Sequence, residues 1–146
     1  MRELSLEPVL VSEAMKETLR LAGLLVDDLD EPDRSYFALL DDDRRILGYS
    51  GMESCGGNAV LLRSVVVVPE VRGQGFGHTL VELTIAKASD LMDVYLVTTD
   101  AVPFFKSIGF ARIERGFAPP AILSTRQLSG LCPASATIMK LNRPPT

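Results

Sequence analysis

A nearly uninterrupted run of apolar and β-branched residues at positions 59–68 ends at Pro69 and leads into a glycine-rich turn. Such a run predicts a strand buried on both faces, because a strand with one face in water would alternate apolar and polar side chains. Three glycines alternate with other residues at positions 73–77, and a helical pattern follows over 75–91. This order brings free backbone N–H groups and the positive end of a helix dipole together. The turn is therefore expected to bind a phosphate-bearing ligand.

The remaining patterns predict an α/β (α+β) fold, in which helices cover a mixed, mostly antiparallel sheet. Ser12 is expected to cap a helix whose buried face includes Met15, Leu19, Ala22 and Leu25. Further strands are expected at residues 4–6, 36–40, 46–54, 94–98, 111–113 and 136–141.

Three local signals predict where the shorter elements begin and end. Pro8 should end the first strand, because proline lacks the N–H that a sheet needs. Asp100 should cap a short helix that Gly109 ends. A last short helix is expected at residues 122–128.

The length of 146 residues fits one domain, and the prediction is a single domain over 1–146. The apolar runs are too short to cross a bilayer, which takes roughly 20 residues. No apolar signal segment follows the first three residues. Two cysteines, Cys55 and Cys132, are too few for a disulfide framework. The chain is therefore expected to be soluble and cytoplasmic, with no membrane partner.

Charge is distributed unevenly along the chain, whose net charge is −4. Residues 1–100 hold nine Lys or Arg against 18 Asp or Glu, whereas residues 101–146 hold six against one. An acidic total argues against nucleic acid as a partner, since phosphate backbones require a basic surface. The basic final third either faces an anionic small molecule or complements the acidic part of the chain. No metal site is expected.

Three phosphate-binding motifs compete for the glycine turn. A dinucleotide fold requires G-x-G-x-x-G within a parallel unit, whereas the glycines here follow the pattern G-x-G-x-G. A nucleoside-triphosphate loop requires a lysine after its last glycine, and none follows here. The pattern R-x-x-G-x-G of an acetyl-CoA pyrophosphate loop remains. Alternatively, the glycines only make a tight turn, although packing alone rarely requires three of them.

The sequence V-V-P-E-V-R-G-Q-G-F-G at residues 67–77 resembles the acetyl-CoA loop of the GNAT N-acetyltransferases. A second match follows at residues 104–110, F-F-K-S-I-G-F, which is similar to the aromatic pair and glycine-phenylalanine signature of that family. With the order of elements, the resemblance covers residues 4–141. It implies the GNAT fold, whose two central strands, here at Val65 and Val94, splay apart to admit a thioester.

The resemblance implies acetyl-CoA as the cosubstrate. The backbone of one strand segment pairs with the pantetheine arm, and this segment contains Val65, Val66 and Val67. The turn binds the pyrophosphate through Arg72, Gly73, Gln74, Gly75, Phe76, Gly77 and His78. The aromatic pair Phe104 and Phe105 also belongs to the cofactor site. Many relatives have a tyrosine at the second position of that pair, where its hydroxyl protonates the departing thiolate. Phe105 lacks this hydroxyl, so another residue or water has to supply the acid.

The family mechanism is direct attack by a neutral amine on the thioester, with a backbone N–H near Val67 stabilising the oxyanion. An α-amine, with a pKa of about 8, loses its proton more easily than a lysine at about 10.4. Without an obvious strong base, the sequence therefore slightly favours an α-amine. Relatives carry an acidic residue, acting through water, near the position of Glu53. The alternative is that Glu53 is only a solvated carboxylate at the end of a hairpin.

Other polar residues are also candidates for the chemistry. Thr98 and Thr99, at the end of a strand, are expected to contact the acceptor or a water, or else only to favour the strand. His78 is placed at the start of a helix over the cofactor rather than as a base. The three tyrosines fit strands as packing residues but are alternative acids: Tyr36, Tyr49 and Tyr95.

Arg63 precedes Ser64 in an otherwise apolar strand, where an unpaired charge is costly. It either pairs with a structural carboxylate or binds a substrate carboxylate, a group that a planar guanidinium suits. Arg126, with Arg112 and Arg115, is a further candidate for substrate binding. The stretches at 62–67 and 96–99 are similar to acetyltransferase domains that make N-acetylglutamate.

The stretches at 118–122 and 131–136 are similar to a small group of acetyltransferases found beside arsenic-resistance genes. Both comparisons indicate a small-molecule amine such as an amino acid or a toxic glutamate-like analogue. Three alternatives stay open: a protein, polyamine or aminoglycoside amine as acceptor, a non-catalytic acyl-CoA sensor, and a homodimer like that of many relatives. Thiol chemistry at the two cysteines is not expected.

Overall fold

The computed structural model describes residues 3–88, 91–125 and 136–142. Seven strands are present in this part of the chain: β1 (Ser5–Val9), β2 (Arg34–Leu40), β3 (Ile46–Ser54), β4 (Ala59–Val67), β5 (Asp93–Thr98), β6 (Phe110–Ile113) and β7 (Thr137–Leu141). Four α-helices accompany them: α1 (Glu13–Leu21), α2 (Phe76–Ile85), α3 (Val102–Ile108) and α4 (Pro120–Leu123). Within these ranges, no helix combines the length and the apolar composition needed to span a bilayer.

The strands form one sheet in the order β1-β2-β3-β4-β5-β7-β6. β1 pairs antiparallel with β2, β2 with β3, and β7 with both β5 and β6. β4 and β5 are parallel, and their register runs from Ala59 opposite Asp93 to Leu61 opposite Tyr95. The predicted mixed, mostly antiparallel sheet is thus confirmed.

The chain separates into two compact units. The first unit comprises Met1–Glu53 and Leu62–Ala88, and the second comprises Ser54–Leu61 and Ser89–Thr146. Each has its own apolar core. The first unit is built around Met15, Leu19, Leu29, Tyr36, Ala38, Leu40, Tyr49 and Val66, with a second cluster around Leu39 and Leu80. The second unit is built around Ala59, Leu61, Tyr95, Ala118, Ile122 and Ile138. The single-domain interpretation stays a prediction.

Helix α1 begins as predicted and ends earlier. The Ser12 hydroxyl accepts a hydrogen bond from the Met15 N–H at 3.2 Å, which confirms the N-cap. Met15 is fully buried, as expected. Ala22 is the C-cap, so the prediction that it and Leu25 continue the buried helical face is wrong. The reason is Gly23, whose φ of 76° provides the left-handed residue that commonly ends a helix.

Several other predicted boundaries are wrong for identifiable reasons. β1 continues through Pro8 because it is the edge strand of the sheet, where a missing N–H leaves no ladder bond unmade. Helix α2 ends at Ile85, not near residue 91. Helix α3 is capped by Ala101 instead of Asp100, while Gly109 ends it as predicted. The helix expected at 122–128 begins at Pro120 and ends at Leu123, and positions 126–128 lie outside the described residues.

Gly48 in β3 permits a close approach of β4. A Cβ at this position would lie 2.5 Å from the Val66 carbonyl oxygen, a backbone atom that cannot move aside without shifting β4. Gly48→Ala is therefore expected to lower the free energy of unfolding by about 2 kcal/mol, measured by urea denaturation. Gly116→Ala is the control, because a Cβ there meets no atom within 4 Å. Equal losses in the two variants would contradict the steric explanation.

Candidate functional site

The end of β4 is tied to the turn that follows it. The Val68 N–H donates to the Leu47 carbonyl at 2.9 Å, and a short 3-10 helix, Pro69–Val71, reverses the chain. The Arg72 side chain then folds back, because its Nε donates to the Val67 carbonyl at 2.9 Å. The turn thus has a fixed start, although Arg72 itself is exposed.

The glycines of the turn have backbone conformations that other residues rarely adopt. Gly73 has a φ of 83° and Gly75 a φ of 86°, both in the left-handed region. A Cβ built on either residue would meet no atom within 4 Å. Packing against the protein therefore does not explain why glycine is present. The open space leaves the backbone of the turn accessible to a ligand.

Helix α2 begins directly at this open backbone. Gly75 is its N-cap, and this residue has no side chain that could accept a hydrogen bond from the first turn. The first N–H groups of an α-helix have no acceptor within the helix, and the helix dipole adds partial positive charge there. His78 lies in the first turn with its Nδ1 at 3.6 Å from Glu82 Oε1. The turn and the helix start together fit the phosphates of an anionic ligand.

The strand before the turn contains one residue with a left-handed backbone conformation, which we call the kink. Ser64 has a φ of 57° in the middle of β4 and is buried. After the kink, Val66 is buried in the core of the first unit, while Val65 and Val67 are half-buried. The predicted pantetheine-binding residues 65–67 therefore lie between a kinked backbone and the glycine turn, all within the first unit.

A buried ionic network lies on the other side of the kink, centred on Arg63. The Arg63 Nη1 donates to Asp28 Oδ2 at 2.7 Å and to Glu53 Oε1 at 3.0 Å, and Nη2 donates to Asp28 Oδ1. Asp28 is fully buried, and Arg63 and Glu53 are nearly so. Two carboxylates thus neutralise a guanidinium that would otherwise be strongly destabilising inside the protein.

Arg34 extends the network to a second guanidinium. Its Nη2 donates to Asp28 Oδ2 at 3.0 Å and lies 3.6 Å from Glu53 Oε1, and its Nη1 donates to the Pro32 carbonyl at 2.7 Å. Next to it, the Tyr36 hydroxyl donates to the Leu29 carbonyl at 2.9 Å. Burial raises the pKa of Tyr36 to about 12, so the hydroxyl keeps its proton at neutral pH.

The network fixes the charge states of Asp28 and Arg63. Burial alone would raise the pKa of Asp28, but the hydrogen bonds and charges of Arg63 and Arg34 outweigh it and lower the pKa below its ordinary value. Burial alone would lower the pKa of Arg63, and the contacts with Asp28 outweigh it and raise the pKa. Both groups are therefore ionised at neutral pH.

The lowered pKa of Asp28 predicts a loss of stability in acid. A carboxyl whose pKa is lower in the folded than in the unfolded chain stabilises the fold above its unfolded value, here 3.8, and this stabilisation is lost as pH falls through the folded value. The free energy of unfolding is expected to fall as pH decreases below about 4, and to fall less in Asp28→Asn. Urea denaturation at a series of pH values measures this. Identical pH profiles for the two proteins would contradict it.

The structure brings together two of the predicted site residues and adds two that the sequence interpretation missed. Glu53, one of whose two interpretations was a solvated carboxylate, is buried and paired with Arg63. The solvated interpretation is therefore wrong. Asp28 and Arg34 were not predicted. Their only sequence signal was indirect: a charge at position 63 in an apolar strand required a partner.

Other predicted residues lie in the second unit or outside the described residues. Thr98 is buried, and its hydroxyl accepts a hydrogen bond from the Ala101 N–H at 3.0 Å, whereas Thr99 is exposed. Phe105 packs edge-to-face against Phe104, with ring centroids 5.0 Å apart, and against Phe110 at 5.8 Å. Arg126 and Cys132 lie outside the described residues.

The sequence matches a known family model but no individual curated protein. A sequence profile described as an acetyltransferase (GNAT) domain matches residues 32–112, more than half of the chain. No curated protein matches the sequence.

Solved structures with similar folds include complexes with CoA or acetyl-CoA. N-acetylglutamate synthase from Neisseria gonorrhoeae, complexed with coenzyme A and N-acetyl-glutamate, has a TM-score of 0.75 and 16% identity; the match covers 97% of this chain and 36% of that one. Rv2747 from Mycobacterium tuberculosis, in complex with CoA and NLQ, has a TM-score of 0.69 and 19% identity, covering 89% and 92%. A GNAT family acetyltransferase from Elizabethkingia anophelis with acetyl-CoA bound has a TM-score of 0.68 and 12% identity, covering 96% and 98%. With the sheet order and the profile match, these likenesses lead to one conclusion: the chain belongs to the GNAT acetyltransferase domain family.

Proposed function

We propose that this protein is an acetyl-CoA-dependent N-acetyltransferase that acts on a small-molecule amine in the cytoplasm. The observation that carries the proposal is the glycine turn at the start of α2, where two left-handed glycines leave the backbone open and the N-cap, Gly75, has no side chain to cap the helix. Such a helix start suits the pyrophosphate of CoA. The CoA and acetyl-CoA complexes among the structural neighbours support the same ligand.

The proposed reaction is an acyl transfer in a single displacement. The nitrogen of a neutral amine forms a bond to the thioester carbonyl carbon, the carbon–sulfur bond breaks, and CoA leaves as a thiolate while the amine loses a proton. Phe105 has no hydroxyl, and its ring is buried against Phe104 and Phe110. It therefore contributes packing, and the proton that the thiolate takes up comes from elsewhere.

For the acceptor, we propose an amino acid or a glutamate-like analogue. The likeness to a synthase complexed with N-acetyl-glutamate and the predicted preference for an α-amine support this class. Arg63 is not a readily available clamp for the substrate carboxylate, because both of its η nitrogens already bind Asp28. Recognition of the carboxylate through Arg63 would require breaking this buried pair. We therefore propose that another cation binds it, with Arg126 as the first candidate and Arg112 and Arg115 as the others.

The test is free-thiol release from acetyl-CoA, measured with a thiol reagent, together with calorimetric binding of CoA. The amine panel contains glutamate, aspartate, toxic glutamate analogues, lysine, a polyamine and an aminoglycoside. Release with the acidic amino acids, lost in Arg126→Ala, supports the proposal in full. Release only with the polyamine or aminoglycoside supports the transferase and overturns the acceptor. CoA binding without release for any amine indicates a sensor, and no CoA binding overturns the proposal.

A further inference from the structure

The kink in β4 is unusual because its residue is not glycine. In the described part of the chain, three non-glycine residues have positive φ: Asp33, Arg44 and Ser64. The first two lie in or next to turns, and Ser64 alone lies inside a strand. A residue with a Cβ is disfavoured in the left-handed region, and such a conformation persists only where the surroundings fix it.

The surroundings of Ser64 are fixed from both sides. On the side that follows it, Val66 is buried, and its carbonyl is approached closely by Gly48. On the side that precedes it, the side chain of Arg63 is fully buried and held by three charged contacts, two of them to Asp28. Arg63 directly precedes Ser64, so these contacts act on the residue next to the kink.

We propose that Asp28 is a positioning residue: through Arg63 it holds the left-handed kink at Ser64 and thereby aims the backbone of residues 65–67 toward acetyl-CoA. The second half of this assignment rests on the proposed function. The network thus acts on the strand that precedes the cofactor turn, and the buried ion pair gains a role in defining one backbone conformation.

The physical expectation concerns the equilibrium between a kinked and a relaxed strand. In Asp28→Asn, Arg63 keeps Glu53 but loses the charge that holds both of its η nitrogens. Without this charge, less interaction energy opposes the steric cost of the Ser64 Cβ in the left-handed conformation. Glycine at position 64 removes that cost, whereas alanine keeps it. A kink-specific defect is therefore restored by Ser64→Gly and not by Ser64→Ala.

The experiment compares Asp28→Asn, Asp28→Asn/Ser64→Gly and Asp28→Asn/Ser64→Ala, with the single Ser64 variants to complete the cycles. Two quantities are measured: amide hydrogen exchange of residues 62–68 in the protein alone, and the Kd for CoA by calorimetry. Asp28→Asn is expected to speed exchange and raise the Kd, each about 10-fold, which corresponds to about 1.4 kcal/mol. The double variant with glycine is expected to regain most of the exchange protection and most of the CoA affinity. The double variant with alanine is expected to regain neither.

Two further variants control for stability. Asp41→Asn changes another buried aspartate, whose Oδ1 accepts the N–H groups of Asp43 and Arg45 in the turn after β2, and it should alter neither readout. Arg63→Lys keeps the charge but loses the bidentate contact with Asp28. It should therefore change the exchange rate and the Kd for CoA in the same direction as Asp28→Asn, but by less.

The assignment is overturned if alanine at position 64 restores exchange as well as glycine does, or if Asp41→Asn has the same effect as Asp28→Asn. Failure of the proposed function would give a different experimental result. If the parent protein does not bind CoA but exchange shows the glycine-specific recovery, the proposed function fails and the positioning of the kink stands. If CoA binds normally in every variant, Asp28 does not position the cofactor strand.

Discussion

Arg63→Met is expected to lower the free energy of unfolding by about 3–5 kcal/mol, the typical cost of removing one partner from a buried ion pair. The substitution keeps most of the apolar volume, so the loss reports the charge. Asp28 and Glu53, both buried, would then share the single guanidinium of Arg34. Since domains of this size are stable by only about 5–15 kcal/mol, the variant should unfold at much lower urea concentration.

Two further variants test whether the loss of stability in Arg63→Met comes from removing a buried charge. Arg44→Met removes the exposed pair between Arg44 and Glu7, whose side chains are 71% and 41% exposed, and should cost less than about 1 kcal/mol. The double variant Arg63→Met/Asp28→Leu replaces the pair with apolar side chains and should recover much of the loss, because Glu53 keeps Arg34. A loss below about 1 kcal/mol in Arg63→Met would falsify the interpretation of this network as a buried, interdependent set of charges.

The glycine turn was predictable because its signal is local. The order of strand, proline, alternating glycines and helix lies within residues 59–91, and the structure has a strand, a turn and a helix there. Most of the sheet was predictable for the same reason, since apolar runs and turn residues mark strands wherever they lie. The sequence could not show that β1 is an edge strand, and for that reason the effect of Pro8 was misjudged.

The ionic network was not predictable in the same way, because its paired members are 6 to 35 positions apart. Asp28 occurs in an acidic stretch that reads as a solvated loop, and composition gives no reason to bury one of its carboxylates. The strand charge at Arg63 indicated that a partner exists without identifying it. Which aspartate satisfies an arginine depends on tertiary contacts between the loop after α1 and β4, and a single sequence does not encode these as a spacing.

Replacing Gly75 with alanine is expected to weaken CoA binding by about 10- to 100-fold, or roughly 1.4–2.8 kcal/mol. Two effects add. The left-handed φ of 86° at Gly75 disfavours any residue with a Cβ, so the turn is biased away from its open conformation. The added methyl group also enters the open space beside the first N–H groups of α2, where the pyrophosphate is proposed to bind. Calorimetric titration with CoA measures the change.

Gly56→Ala provides a closely matched control. Gly56 has a φ of 88°, almost equal to that of Gly75, and a Cβ there also meets no atom within 4 Å, but it lies in the turn between β3 and β4. Both variants should therefore lose a similar amount of stability, about 1–2 kcal/mol from the strained backbone. Only Gly75→Ala should lose CoA affinity. If the two variants bind CoA equally well, the glycines at the start of α2 serve the turn alone, and the pyrophosphate must bind elsewhere.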